Sequence, residues 1–371
     1  MDAVDLYMKY FTDLTDQGLK SPTSRNADYK VLTGGTANAI KLMSMQDIKG
    51  KHMHAMQRQW EALKPDGTKT KNKTVNNRID AFKAMFKYLK TKLEIIAEDV
   101  TDSLERRSIE HKKPEVFDAD LMSDMYQDIY VNDGPEYANL YAIICLLGLR
   151  VGEACAVSEE DIDFNNNQLC INRALVTDKK ELSDAERQEY INKGKKPPKQ
   201  IGVTYWKGTK TGKERLLECH SVVRDILREQ RMLNRDFYNI TKPVHRNGNI
   251  EHETFKPLFT HSVRGKGVFD VFNSKSAQGM YDRSKKRLGI KSGEVPSIKN
   301  GRSTNASVIA STTGNVFKIQ AQLGHSDIKL LQRHYATYME SHSKVDLEAI
   351  FMAARNAVVP KLLSVVQSKA S

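Results

Sequence analysis

With 371 residues, 39% of them hydrophobic and 28% charged, the chain is long enough for two domains with their own cores and too apolar to stay disordered. A net charge of +12 and a pI near 9.3 favour a polyanionic partner, of which nucleic acid is the commonest. No apolar run reaches membrane-spanning length, and Met1-Asp-Ala-Val-Asp lacks the basic-then-apolar order of a signal peptide. Cys145, Cys155, Cys170 and Cys219 are scattered without CxxC spacing, so they read as reduced thiols of a cytoplasmic protein, not a disulfide frame or a zinc site.

Residues 1–105 read as a helical domain. Val4, Leu6, Tyr7, Tyr10, Phe11 and Leu14 keep helical spacing, Ser21-Pro22-Thr23 and Gly34-Gly35 interrupt it, and a helix near Met45 to Leu63 stops before Pro65-Asp66-Gly67. Ile79, Phe82, Met85, Phe86 and Leu89 then mark one apolar face of a further helix. Just ahead of that face, Lys69, Lys71, Lys73, Thr74, Asn77 and Arg78 suit phosphate contacts made from a helix N-terminus, where backbone N–H groups attract anions. A solvated helix face is the plainer account of the same residues.

Residues 106–116 are charged, contain a proline and lack periodicity, which reads as a linker to a second domain at 117–371. That domain opens on the helix cap Asp118 and continues with an apolar helix at Glu136 to Leu147. A strand is expected at 168–176, then a polar insertion at 177–200 with a short helix near Ser183 to Ile191. Residues 201–206 and 213–218 read as a hairpin around the turn Lys207–Gly212. Beyond residue 220 the pattern is helical, broken by a loop around His245–Gly248, with closing helices near 303–311, 316–322, 328–337 and 345–367. The fold class expected is mainly α with a small antiparallel β-sheet (α+β).

Five places carry chemistry. In Gly148-Leu149-Arg150-Val151-Gly152-Glu153, an arginine follows a buried helix, and its planar fork matches two oxygens of a phosphate; Glu153 stands ready to orient it. The alternative is a structural Arg–Glu pair closing a helix end. Lys210, at the turn, suits a general acid that protonates an alkoxide leaving group, with Lys207 and Lys213 as competitors. Lys299 and Arg302 lie one helical turn apart, so both can point at one ligand, in a basic stretch that includes Arg283 and Lys286; a solvated basic face is the plainer account. His325 follows Leu323-Gly324 as a cap or an anion donor, and the next stretch delivers Tyr335, a candidate covalent nucleophile.

The order of these boxes, closing on Arg302-Ser-Thr-Asn-Ala-Ser and Leu323-Gly324-His325…Tyr335, resembles the tyrosine recombinase (phage integrase) family over about residues 118–340. Thr74-Val-Asn-Asn-Arg-Ile-Asp-Ala-Phe more faintly resembles the core-binding helix of that family. The resemblance implies a helical core-binding domain and a catalytic domain closing as a C-shaped clamp on DNA, without an arm-binding domain. It implies a site-specific recombinase in which Arg150, Lys210, Arg302, His325 and Tyr335 are catalytic and Glu153 supports Arg150. Lys299 stands where most members have histidine, and His334 lengthens the His-to-Tyr spacing by one residue, leaving Tyr338 as an alternative nucleophile. The implied partners are double-stranded DNA with an inverted-repeat core site and three further copies of the chain in a tetramer, the helix near 345–367 docking on a neighbouring protomer. No metal, ATP or other cofactor is implied, nor a membrane or small-molecule substrate. A type IB topoisomerase and a catalytically inactive DNA-binding regulator are the rival readings.

Overall fold

The computed structural model describes residues 3–17, 20, 22–37, 39–64, 66–109, 115–198, 200–209, 214–246, 249–263, 268–291, 293–324 and 346–370, the side chains of 359–370 and a few others excepted. The chain divides into two compact units: Met1–Lys112 with Asp178–Ile201, and Lys113–Thr177 with Gly202–Ser371.

In the first unit, helices α1 (Ala3–Asp16), α2 (Pro22–Thr33), α3 (Gly50–Glu61) and α4 (Asn72–Thr91) enclose one core. Val75, Ile79, Phe82, Met85, Phe86 and Leu89 recur at three- and four-residue intervals along α4 and are all buried. They pack against Met53, Met56 and Trp60 of α3 and Tyr7 and Phe11 of α1, with Trp60 stacked on Phe82 at 5.5 Å. One polar residue interrupts that face. Asn76 is buried and takes the Arg107 N–H at 2.8 Å while donating to the Arg107 carbonyl at 2.8 Å. Arg107 also forks onto Glu61 at 2.7 and 3.0 Å. The stretch expected to begin a linker at 106 is therefore fastened to the first unit. At its other end, Asn300 donates to the Glu115 carbonyl and the Phe117 N–H to Thr304, within the second unit. Residues 110–114 lie outside the described residues. Helix α8 (Asp184–Asn192) forms where the insertion was expected to carry one, behind a capping box of Ser183 and Glu186.

The second unit is built around α6 (Pro135–Leu147), whose residues from Ala138 to Leu147 are all buried. An apolar surface on every side demands neighbours on every side. They are α5 (Ala119–Asn132), α9 (Ser221–Leu233), α10 (Ser274–Arg287) and α11 (Gly301–Thr313). Short helices α7 (Val151–Ala154) and α12 (Val316–Leu323) flank this bundle, and α13 (Leu347–Ala370) closes it. The first half of α13 packs on its own domain. Phe351 is fully buried, edge-on to Tyr126 at 5.5 Å, and Arg355 pairs with Glu229 of α9 at 2.6 Å.

Among the described residues, three small sheets accompany the helices, in line with the expected mainly-α class. Strands β1 (Ile162–Asp163), β2 (Gln168–Ile171) and β5 (Arg215–Glu218) form an antiparallel sheet. Strands β3 (Arg173–Glu181), β4 (Gln200–Gly208), β6 (Ile240–Arg246) and β7 (Asn249–Phe255) form a second in that order, with β4 and β6 parallel. Strands β8 (Thr260–Val263) and β9 (Val268–Val271) pair with each other. Two expectations are corrected. The strands at 201–206 and 213–218 are not partners: β5 pairs with β2, which sets Leu217 beside Leu169, both buried, so core burial decides the pairing over sequence adjacency. Residues 240–246, 249–255, 260–263 and 268–271 are strands, not helix, with Val244 and Phe255 turned into the core and the Thr241 and Thr254 hydroxyls bonded across β6 and β7 at 2.9 Å.

Candidate active site

The site forms where α6 ends. Gly148 caps the helix with φ 63°, a left-handed conformation that costs other residues energy. A Cβ there would also meet Asn305 Oδ1 at 2.7 Å and Leu323 Cδ2 at 2.8 Å, and one at Gly152 would meet the Leu175 carbonyl oxygen at 2.5 Å. Both glycines of Gly-Leu-Arg-Val-Gly-Glu are thus required by close approach, and the turn they permit places Arg150 at the head of α7.

The last carbonyls of α6 have no partner within the helix. Three side chains from α11 and α12 answer them in succession. Asn305 donates to Leu146 O at 2.8 Å, Gln322 to Leu147 O at 3.1 Å and Arg302 to Gly148 O at 2.8 Å. Arg302 donates its other nitrogen to Leu323 O. Arg302 and the turn leading to His325 are thereby tied to the end of α6 beside Arg150.

Glu153, 2% exposed, lies behind these cations. Its carboxylate accepts from the Arg150 backbone N–H at 3.0 Å, Arg150 Nη1 at 2.5 Å and Arg215 Nη2 at 2.6 Å, and Arg302 Nη1 lies 3.9 Å away. Burial pushes the Glu153 carboxyl up, but the Arg215 hydrogen bond and charge, followed by Arg150, outweigh it and hold the carboxyl below its ordinary value. Three positive charges therefore share one negative charge. The Arg150 side chain is 32% exposed, against 10% for Arg215 and 12% for Arg302. Arg150 is thus the most open of the three to an incoming anion. Such a cluster suits an oxyanion that gains charge as it reacts.

Arg215 escaped the sequence reading. It is one basic residue among Lys213-Glu214-Arg215, and its bond to Glu153 spans 62 positions. The one local hint is that Arg215 heads a strand two residues before a buried leucine. Lys299 is exposed in the 3-10 turn Ile298–Asn300 ahead of α11 and makes no ion pair among the described residues. Lys210, Lys213, His325, Tyr335 and the alternative Tyr338 lie outside the described residues, as does the helix expected at 328–337.

Of the expected DNA contacts, Lys69, Lys71, Lys73, Thr74 and Asn77 are exposed at the start of α4 or just before it. Arg78 is half-buried, and burial alone pulls its guanidinium below the ordinary value, with no acidic side chain offsetting it. Lys207 is half-buried in β4, in register with His245 of β6. Arg283 pairs with Asp133 at 2.7 Å, and Arg287 with Asp128 and Asp133, so these two arginines fasten α10 to the end of α5. Lys286 is exposed between them.

No family model matches the chain. Among curated proteins it is similar to the putative defective protein IntQ of Escherichia coli (strain K12), 26% identical over 213 residues, which are 56% of this chain and 47% of that protein. The match therefore spans about half the length of that relative. Among solved structures, the integrase of the Tn1549 transposon in complex with transposon right-end DNA superposes with a TM-score of 0.63 at 16% identity, covering 95% of this chain and 99% of that one. A lambda integrase, solved as a tetramer bound to a Holliday junction, superposes with a TM-score of 0.54 at 15% identity, covering 88% and 76%. Both are tyrosine recombinases, and the chain has their integrase-like fold.

Proposed function

We propose that the chain is a site-specific DNA recombinase that cuts and rejoins DNA through a covalent 3′-phosphotyrosine. The observation that carries this reading is the gathering of Arg150, Arg215 and Arg302 around one buried carboxylate. Attack on a phosphodiester adds charge to the two non-bridging oxygens, and fixed guanidiniums stabilise that charge better than water does. Arg150, Arg302 and His325, with Lys299, hold those oxygens. The Tyr335 hydroxyl attacks phosphorus and releases its proton to solvent, the bond to the 5′ oxygen breaks, and Lys210 donates the proton that leaves a free 5′-hydroxyl. The phosphotyrosine conserves the energy of the broken bond, so rejoining to another strand needs no ATP.

The helical 1–105 domain supplies backbone contacts from the start of α4. There Lys73, Thr74 and Asn77 stand exposed, and burial pulls the Arg78 guanidinium below its ordinary value. Four copies act on two duplexes and exchange strands through a Holliday junction, as the tetrameric lambda integrase complex suggests. The second half of α13 is the segment offered for docking between protomers. Integration, excision or resolution of a mobile element or replicon is the role we assign to this chemistry.

The test is covalent trapping. The protein is incubated with a library of nicked duplexes whose inverted repeats are randomised, and DNA retained after denaturation is sequenced. An adduct that Tyr335→Phe abolishes supports the reading. An adduct that survives in Tyr335→Phe moves the nucleophile to Tyr338. Binding without any adduct identifies a DNA-binding regulator, a reading favoured by the word "defective" in the name of the curated relative. Relaxation of supercoils with no recombinants on paired sites identifies a topoisomerase.

A further inference from the structure

The geometry points to Arg215 as a positioning residue for the strand-cleavage step: its guanidinium joins the carboxylate that aims Arg150 to the turn that leads into His325. This inference rests on the recombinase reading above.

Arg215 stands at the start of β5 with its side chain 10% exposed. Its Nη2 meets Glu153 Oε2 at 2.6 Å, and its Nε donates to the Gln322 carbonyl at 3.1 Å. Gly324 leaves room for it, since a Cβ at 324 would come within 3.1 Å of Arg215 Cδ and 3.3 Å of its Nη1. One side chain thus touches both halves of the site. On one side is the Arg150–Glu153 pair; on the other is the left-handed end of α12, after which His325 follows in sequence.

The second consequence concerns the carboxylate. Among the described residues, the charged groups facing Glu153 are Arg150, Arg215 and Arg302. Arg215 occupies Oε2 at close range while Arg302 Nη1 stays 3.9 Å away, held by the carbonyls of Gly148 and Leu323. Without Arg215, the buried carboxylate either draws Arg302 off those carbonyls or takes up a proton. Either outcome spoils the aim of the cations that hold the phosphate. Arg215 itself is turned inward onto protein atoms, so its loss should leave DNA affinity nearly intact.

The experiment uses the full chain and the nicked duplex recovered by trapping, and measures adduct formation rate and DNA affinity separately. Arg215→Met is expected to slow adduct formation by about 100-fold, the usual effect of a misplacement near 1 Å, with affinity changed by less than about 3-fold. Arg215→Lys, which keeps the charge and one bond, should recover most of the rate. The pH profile supplies a readout that simple destabilisation does not give. In Arg215→Met the rate should fall in mild acid as Glu153 takes a proton, where wild type holds its rate. Combining Arg215→Met with Glu153→Gln should cost no more than the worse single change, because both break one unit. Should Arg215→Met fail to fold, the rate and pH profile of Arg215→Lys decide. Wild-type rate in that variant, with Lys making neither bond in its crystal structure, overturns the inference. So do a wild-type rate in Arg215→Met, or equal losses in both variants with no acid limb. A wild-type protein that forms no adduct removes the recombinase reading and takes this inference with it.

Discussion

Replacing Glu153 by Gln tests whether one buried carboxylate holds the cations together. The carboxylate accepts two short charged bonds, 2.5 Å from Arg150 and 2.6 Å from Arg215. Bonds to charged groups contribute roughly 1.5–3 kcal/mol each. Gln keeps the shape and one acceptor, but it turns an amide NH2 toward a guanidinium and leaves the arginines without a counter-charge. A loss of about 3 kcal/mol at neutral pH is expected, the low end for breaking a buried ion pair. The pH dependence has a definite sign. Despite burial, Arg215 and Arg150 hold the folded carboxyl below its ordinary value of 4.5. Its stabilisation is therefore fully present above the unfolded value and is lost as pH falls through the lower, folded one. The gap between wild type and Glu153→Gln should stay constant above pH 4.5 and close below it. Each unit carries one of the two tryptophans, Trp60 and Trp206. Urea unfolding followed through Trp206 in a Trp60→Phe background thus reports the unit that holds Glu153. A neutral-pH difference under about 1 kcal/mol, or one that persists unchanged in acid, would refute the reasoning.

Three further outcomes are expected. Asn76→Ala strips the Arg107 backbone of both its partners and should destabilise the first unit by about 2 kcal/mol, read from Trp60 in a Trp206→Phe background. Phe351→Ala empties a fully buried site against Tyr126 and should cost about 3–5 kcal/mol, with α13 becoming the earliest site of limited proteolysis. Lys73→Ala should weaken DNA binding alike on all sequences and lower the slope of log affinity against log salt by about 0.9, as a lost phosphate contact does; an unchanged slope would remove Lys73 from the interface.

What the sequence discloses follows from the range of the interactions involved. Helix α6 is legible because an unbroken apolar run has few ways to fold, and α4 because its buried residues keep one period. The Gly-Leu-Arg-Val-Gly-Glu turn is legible because its hydrogen bonds span three residues. Strands β6 and β7 hide behind lysine, proline, histidine and glutamate, residues that give a weak alternating signal. The Asn247-Gly248 step between them is the hairpin mark that would have located them. The pairing of β5 with β2 and the reach of Arg215 to Glu153 depend on contacts 44 and more residues apart, which no local pattern encodes.

The arrangement at the end of α6 has an evolutionary consequence. Two main-chain carbonyl oxygens, those of Gly148 and Leu323, accept from the Arg302 guanidinium and help to aim it. Main-chain oxygens survive almost any substitution that keeps the backbone path, so the residues around this arginine are free to drift while its direction persists. A lineage built this way can lose most of its sequence identity before it loses its geometry.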